Sequence, residues 1–244
     1  MEAATYIPTQ WHLPSAIRRR LGATIGRQRL IEVDGHLLLL LHEPPKAEDA
    51  ETRRAVVIWC DAENHWLSAP HEGGLLELER HINRYRHAIH GLDRELADAH
   101  NARQFFDVIR HTHPLQRATL SLLQVMQAAR EARPDITRLI SLRDQAADLE
   151  RGIALVAANA RVSMDYSLAE NAAQQLKSAN LATQEARRLN RLVAFFLPIG
   201  TLVSVFGMNN AHELFAQQAF WWIMIAGTAM GLSVYFVVTG RSNS

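Results

Sequence analysis

Residues 192–209 read LVAFFLPIGTLVSVFGMN, and this stretch decides the architecture of the chain. Asp, Glu, Lys and Arg are absent from Leu192–His212 and from Leu214–Gly240, which only Glu213 separates. A membrane-spanning helix needs about 20 mostly apolar residues. Both stretches are long enough, so the sequence predicts a two-helix transmembrane hairpin over residues 192–240.

Charge is distributed unevenly along the chain. The net charge is +1, but after Arg191 only Glu213 and Arg241 are formally charged. The basic residues form no extended cluster of the kind that nucleic-acid binding requires, so no nucleic-acid partner is expected. Met1–Leu13 lacks the apolar core of a signal peptide. The single Cys60 excludes an intramolecular disulfide and lies in an apolar run, where we expect it to be buried.

Positive charge near the predicted spans indicates their orientation. Arg187, Arg188 and Arg191 precede the first span and Arg241 follows the second, whereas residues 210–218 contain no Lys or Arg. The positive-inside rule therefore predicts that both termini lie in the cytoplasm.

The first part of the chain predicts a small α/β module. A short helix is expected from Pro14 to Leu21, with Ser15 near its cap. Two β-hairpins are expected next, and Asp34-Gly35 is a strong turn signal in the first of them. The expected strands cover residues 29–33, 36–42, 54–60 and 65–68.

Helical periodicity dominates the middle of the chain. From Gly74 to about Arg133, apolar residues recur every three or four positions. Pro114 and Pro134 are expected to divide this region into at least two helices. The resulting fold class is α+β, with a cytoplasmic α/β and helical domain over residues 1–134.

Residues 135–191 predict one long stalk helix, since Gly152 is their only glycine and proline is absent. Their apolar residues repeat every eleven positions, which is about 3.67 residues per turn and indicates a nearly straight helix. Such a helix is continuous in principle with the first span, and it needs neighbours to bury its apolar stripe. The repeats are Leu142, Ile153 and Met164, and Ala146, Ala157, Leu168 and Ala179.

Small residues line one face of the first predicted span. Gly200, Ser204 and Gly207 follow one another at steps of four and three. This pattern is typical of helix packing through small residues, which is the more common case. It also fits the wall of a pore that leaves room for a hydrated ion. In the second span, Gly227 and Gly231 indicate packing.

The signature Gly207-Met208-Asn209 changes the balance between these two interpretations. It stands at the end of a span that contains Pro198, and Glu213 lies in the short loop that follows. In these features the chain resembles the CorA superfamily of divalent metal-ion transporters, sharply over about residues 180–240 and more generally over the rest. The resemblance implies a homopentameric funnel in the bacterial inner (plasma) membrane, with the first span lining a central pore.

The resemblance also implies a set of site residues. The signature residues Gly207, Met208 and Asn209 would form the pore entrance, and Glu213 would attract cations to it. Transported Mg²⁺ is the first expectation, with Co²⁺ or Ni²⁺ as further cargo and no resident cofactor. The residues that would line the pore are Ser204, Gly200, Leu197, Leu189 and Ala186.

Three positions depart from the pattern of the family. Phe206 stands where the family usually has tyrosine before the signature, and Gly200 stands where a threonine usually follows the proline. Ala186 replaces a bulky gate residue.

Other polar residues give weaker signals. Asp144 and Asp148 on the stalk are candidate ligands for a regulatory metal ion, because the family uses acids for this purpose. The histidine pairs lack the i, i+4 spacing of metal-binding helices, so they are expected to be solvated. They are His87 with His90, and His111 with His113. We find no nucleophile–base pair or phosphate loop in the sequence and do not expect an enzyme.

Two alternatives remain open. A zinc transporter similar to the ZntB branch, coupled to protons, is one of them, although Met208 keeps the usual middle residue of the signature. A CorA-like membrane scaffold that does not conduct ions is the other.

Overall fold

The computed structural model describes residues 6–45, 54–208, 221–222, 225–229 and 231–233. The chain divides into two compact units, Met1–Ala169 and Glu170–Ser244. The predicted division near residues 134 and 191 stays a prediction. The elements are α1 (Ser15–Arg18), β1 (Arg29–Val33), β2 (His36–His42), β3 (Ala55–Cys60), β4 (Trp66–Ala69), α2 (Leu75–Ala97), α3 (Ala102–Ala132) and α4 (Thr137–Met208).

A four-stranded antiparallel sheet, in the order β1-β2-β3-β4, forms the centre of the first unit. Both predicted hairpins are confirmed. Asp34 and Gly35 have positive φ angles of 50° and 79°, as a two-residue turn of the primed type requires. The second hairpin begins one residue later than predicted on each of its strands.

The two central strands are buried on both faces of the sheet. Residues alternate between the faces of a strand, and here each face meets its own apolar cluster. Leu37, Leu39 and Leu41 pack with α2, α3 and α4, whereas Leu38 and Leu40 pack with the N-terminal segment. This explains why β2 is a continuous apolar run rather than an alternating one.

The predicted first helix is confirmed in part: α1 covers Ser15–Arg18 rather than Pro14–Leu21, and Ser15 lies next to the cap residue Pro14. One predicted helix signal was wrong. Pro114 lies inside α3, so the break between the two helices falls before Asn101 instead. There the Asn101 side chain accepts a hydrogen bond from the backbone N–H of Gln104 at 3.0 Å, which satisfies a free donor of the first helical turn.

The long helix α4 confirms the predicted stalk and extends 72 residues, through Pro198, to Met208. In the first unit it buries Leu142, Ala146, Ile153 and Ala157 completely or almost completely. The repeat loses its packing further along, where Leu168 is 51% exposed. In the second unit, residues 170–193 of α4 are exposed throughout.

A search of the described residues finds no helix with the length and hydropathy of a membrane span. The predicted hairpin includes residues outside the described ranges, and it stays a prediction.

Candidate functional site

Five of the predicted pore-lining residues lie on one face of α4: Ala186, Leu189, Leu197, Gly200 and Ser204. At 100° per residue they fall within an arc of about 80°. All five are exposed, and a Cβ placed at Gly200 would find no atom within 4 Å. We call these five residues the candidate pore face. Within the described residues, this face is open along its length.

Sequence reasoning missed one member of this face. Val193 lies near the centre of the same arc and is 48% exposed. The spacing of four that joins Leu189 to Val193 and Val193 to Leu197 could have identified it. With Val193, three branched apolar residues follow one another over two helical turns.

The predicted pore entrance is only partly within the described residues. Gly207 and Met208 form the end of α4. Asn209 and Glu213 lie outside the described residues. Their roles therefore stay predictions.

The helix passes through Pro198 without a break. A proline supplies no backbone N–H, so it leaves the carbonyl group one turn earlier without its usual donor. Close by, Thr201 Oγ1 donates a hydrogen bond to the Leu197 carbonyl oxygen at 2.8 Å. This bond turns the Thr201 hydroxyl back onto its own helix.

The two predicted regulatory acids already have basic partners. Asp144 Oδ1 lies 3.0 Å from Arg143 Nη1, and Asp148 pairs with Arg151. Both acids are exposed. Neither belongs to a group of three or more potential metal ligands among the described residues.

A group of three potential ligands occurs instead on the turn between β3 and β4, where Asp61, Glu63 and His65 bring their ligand atoms within 4.8 Å of one another. The spacing i, i+2, i+4 around a tight turn is the signal that could have revealed it. The hydrogen bond and the negative charge of Asp61 raise the pKa of His65. His65 Nδ1 and Asp61 Oδ2, 2.9 Å apart, thus satisfy each other, and we interpret the group as an exposed ion pair.

The histidine pairs agree with the expected solvation. His87, His90 and His113 are exposed, and His111 is half-buried. His111 Nδ1 lies 3.4 Å from Glu95 Oε2.

Cys60 is fully buried in the apolar cluster, as expected. Burial is the main cause that raises its pKa to about 11, against the opposing charge of Arg133. The thiol is therefore protonated at neutral pH.

A buried polar network joins α2 to the segment after β2. The carboxylate of Glu77, only 2% exposed, accepts a hydrogen bond from Arg84 Nη2 at 2.8 Å. The same guanidinium pairs with Glu43 at 3.0 Å and lies 3.2 Å from His81 Nδ1. Burial and then the charge of Arg84 lower the pKa of His81 to about 3, so His81 is neutral. Every charged member of this network has a partner of opposite charge, which indicates a structural role.

Several solved structures are similar to this chain, and three of them are compared with it. The full-length CmaX protein has 15% identity and a TM-score of 0.50, covering 85% of this chain and 77% of that one. The CorA magnesium transporter from Methanocaldococcus jannaschii has 15% identity and a TM-score of 0.48, covering 86% and 78%. The ZntB cytoplasmic domain from Vibrio parahaemolyticus has 15% identity and a TM-score of 0.43, covering 66% and 80%.

These similarities bear on the fold. No family model and no curated protein matches the sequence. The fold of this chain is similar to that of the full-length CmaX protein, and the resemblance predicted from the sequence is confirmed at the level of the fold. Because similarity at 15% identity bears on the fold alone, the expectation that this chain is not an enzyme stays a prediction.

Proposed function

We infer that the chain is a divalent-cation channel or transporter of the CorA type, with Mg²⁺ as its first candidate substrate and Co²⁺ or Ni²⁺ as further candidates. The observation that carries this proposal is the candidate pore face, an exposed face of α4 that leads to the Gly207-Met208-Asn209 signature.

In a ring of subunits, the candidate pore face of each copy could line a shared central path. Residues 170–193 of α4 are exposed, and exposed apolar residues such as Leu176 and Leu181 need neighbours to cover them. Cyclic symmetry places the same face of each copy around one axis. We propose a homopentamer, with residues 192–240 as its transmembrane hairpin in the bacterial inner membrane and both termini in the cytoplasm.

The proposed entrance suits a hydrated ion. Mg²⁺ gives up its water reluctantly, and a ring of Asn209 side-chain oxygens could accept hydrogen bonds from that water shell. Neutral amide oxygens would hold the ion weakly enough for it to leave again, as conduction requires. Glu213, further out, would raise the local concentration of cations through its charge.

The alternation of residue sizes along the candidate pore face suggests how the path closes. Ala186, Gly200 and Ser204 leave room around the axis. Rings of Leu189 and Leu197 would be apolar constrictions, and such constrictions can stop ions by excluding water.

Uptake of Mg²⁺ into proteoliposomes, followed with an enclosed indicator dye, tests the proposal. Wild-type chain is expected to carry Mg²⁺. Asn209→Ala removes the acceptor from every subunit of the proposed ring and should lower the initial rate about tenfold or more, since losing even one hydrogen bond of about 1.4 kcal/mol in the barrier has a tenfold effect. Asn210→Ala is the matched control, because it removes the same group from the adjacent position and should leave the rate close to wild type.

Other outcomes would favour the alternatives. Equal rates for the two variants would contradict the role of Asn209. Zinc uptake that depends on a pH gradient would favour a ZntB-like transporter. No uptake of any divalent cation by properly inserted protein would favour the scaffold.

A further inference from the structure

A cavity of about 460 Å³ lies in the second unit, between α4 and the short helical segment 231–233. It is lined by Arg188, Arg191, Leu192, Phe195 and Leu232. None of these residues belongs to the candidate pore face. Two guanidinium groups line one part of the cavity, and three apolar side chains, Leu192, Phe195 and Leu232, form its apolar floor.

Four of the lining residues form one stripe of α4. Arg188, Arg191, Leu192 and Phe195 follow the spacing i, i+3, i+4, i+7 that places residues on one helix face. At 100° per residue the stripe is centred roughly 150° from the candidate pore face. A helix that lined an axis with one face would therefore turn this cavity away from the axis.

Polarity changes along the stripe from one end to the other. The two arginines occupy its N-terminal end, and Phe195 lies about 10 Å further along the axis at 1.5 Å per residue. The ring of Phe195 is held edge-on by Phe196, with centroids 5.2 Å apart. A ligand that fits this order has an anionic end and an apolar end.

The helical segment 231–233, which lines the cavity opposite α4, lies in close backbone contact with that helix. A Cβ added at Gly231 would lie 3.1 Å from the carbonyl oxygen of Phe195. A side chain at this position would have to push the two backbones apart by a few tenths of an ångström. The close approach brings the adjacent Leu232 to the cavity.

The charge of the cavity has no counterpart in the described part of the chain. Neither Arg188 nor Arg191 forms an ion pair with any described residue. Guanidinium groups bind phosphate through paired N–H donors, and basic pockets between helices on the cytoplasmic side of a membrane bind acidic lipid head groups. The two positive charges of the cavity therefore favour an anionic ligand.

We propose that this cavity binds an acidic phospholipid of the cytoplasmic leaflet. Its phosphate contacts Arg188 and Arg191, and the start of an acyl chain lies against Leu192, Phe195 and Leu232. The inference rests on the proposed membrane function, because the orientation of the stripe matches a lipid only if α4 enters the bilayer after Arg191.

Native mass spectrometry of the full-length detergent-purified chain tests the inference. The protein is mixed with equal amounts of phosphatidylglycerol and phosphatidylcholine, and the retained lipid is counted. Wild type should retain phosphatidylglycerol preferentially, and Arg188→Gln with Arg191→Gln should reduce this preference about 30-fold, as expected for two lost membrane-proximal charges. Arg187→Gln is the matched control, because it neutralises an adjacent exposed arginine that does not line the cavity.

A second variant tests whether lipid binding needs the apolar part of the cavity as well as its two arginines. Leu232→Trp fills the apolar floor, keeps both arginines, and should also abolish the preference for phosphatidylglycerol. Binding of inorganic phosphate together with retention of neither lipid would mean that the site binds the anion without the lipid, and it would overturn the proposal.

The outcomes also separate this inference from the proposed function. Protein that inserts into vesicles and carries Mg²⁺ but shows no preference between the two lipids would overturn the lipid site alone. Protein that does not insert into vesicles would overturn both.

Discussion

Replacing Arg84 with methionine is expected to lower the free energy of unfolding by about 3–5 kcal/mol. The substitution removes the closest positive charge from Glu77, whose side chain is only 2% exposed. It also removes the partner of Glu43 and the neighbour of His81 Nδ1. Methionine keeps most of the side-chain volume, so the loss of stability measures the missing guanidinium charge. Only the more distant Arg80 then remains beside the Glu77 carboxylate. The apparent melting temperature of the full-length chain in detergent should fall on the order of 10 °C.

Arg80→Met is the matched control for this prediction. Arg80 also faces Glu77, but at 3.6 Å and with a side chain that is 55% exposed. Exposed pairs of this kind contribute about 0–1 kcal/mol. Equal losses in the two variants would show that the network does not depend on the Arg84 contacts.

Gly74→Ala is expected to destabilise the first unit by about 3 kcal/mol, through backbone strain and a steric clash together. Gly74 precedes α2 with φ of 55° and ψ of −118°, a conformation that only glycine adopts readily. A Cβ at this position would lie 2.7 Å from the Trp66 Cβ and 2.8 Å from its carbonyl carbon. Thermal unfolding of the full-length variant measures the loss.

Gly91→Ala makes the same change within α2, where a Cβ would find no atom within 4 Å. There alanine should stabilise the helix by about 1 kcal/mol, because it has the higher helix propensity. A loss of stability at Gly91 would contradict the open space around that position, and no loss at Gly74 would contradict its close contact with Trp66 of β4.

The strands and the long helix could be predicted from sequence because local chemistry determines them. The Asp34-Gly35 turn and the apolar runs beside it are sufficient for the first hairpin. Likewise, the absence of helix breakers over residues 135–191 is sufficient for α4. The break before Asn101 could also have been predicted, since Asn101 and Gln104 have the spacing of a capping motif. Pro114 is the more conspicuous signal, and it led to the wrong position.

The networks and the cavity could not be predicted in the same way. Glu43 and Arg84 are far apart in the sequence, and only the packing of α2 beside the end of β2 brings them within 3.0 Å. The cavity depends on Gly231 touching the backbone at Phe195. Periodicity gives the faces of a helix, but it does not show which neighbour covers each face.

Two faces of α4 in the second unit have different proposed roles. The candidate pore face carries small and branched residues without charge, and the stripe from Arg188 to Phe195 carries the positive charge. Because the two are roughly opposite on one helix, a cation path on one side and a lipid on the other are mutually compatible. The lipid would hold the arginines away from the path of the cations.

Cysteine modification of the candidate pore face tests the central claim most directly. The natural Cys60 does not interfere, because it is buried and its raised pKa of about 11 keeps it as an unreactive thiol. Mg²⁺ uptake is measured for Ser204→Cys and Ile199→Cys, which lie about 140° apart on α4, before and after treatment with a cationic methanethiosulfonate reagent. We predict that the reagent blocks uptake by Ser204→Cys and leaves Ile199→Cys unaffected. Unchanged uptake by a fully modified Ser204→Cys protein would contradict an ion path along this face.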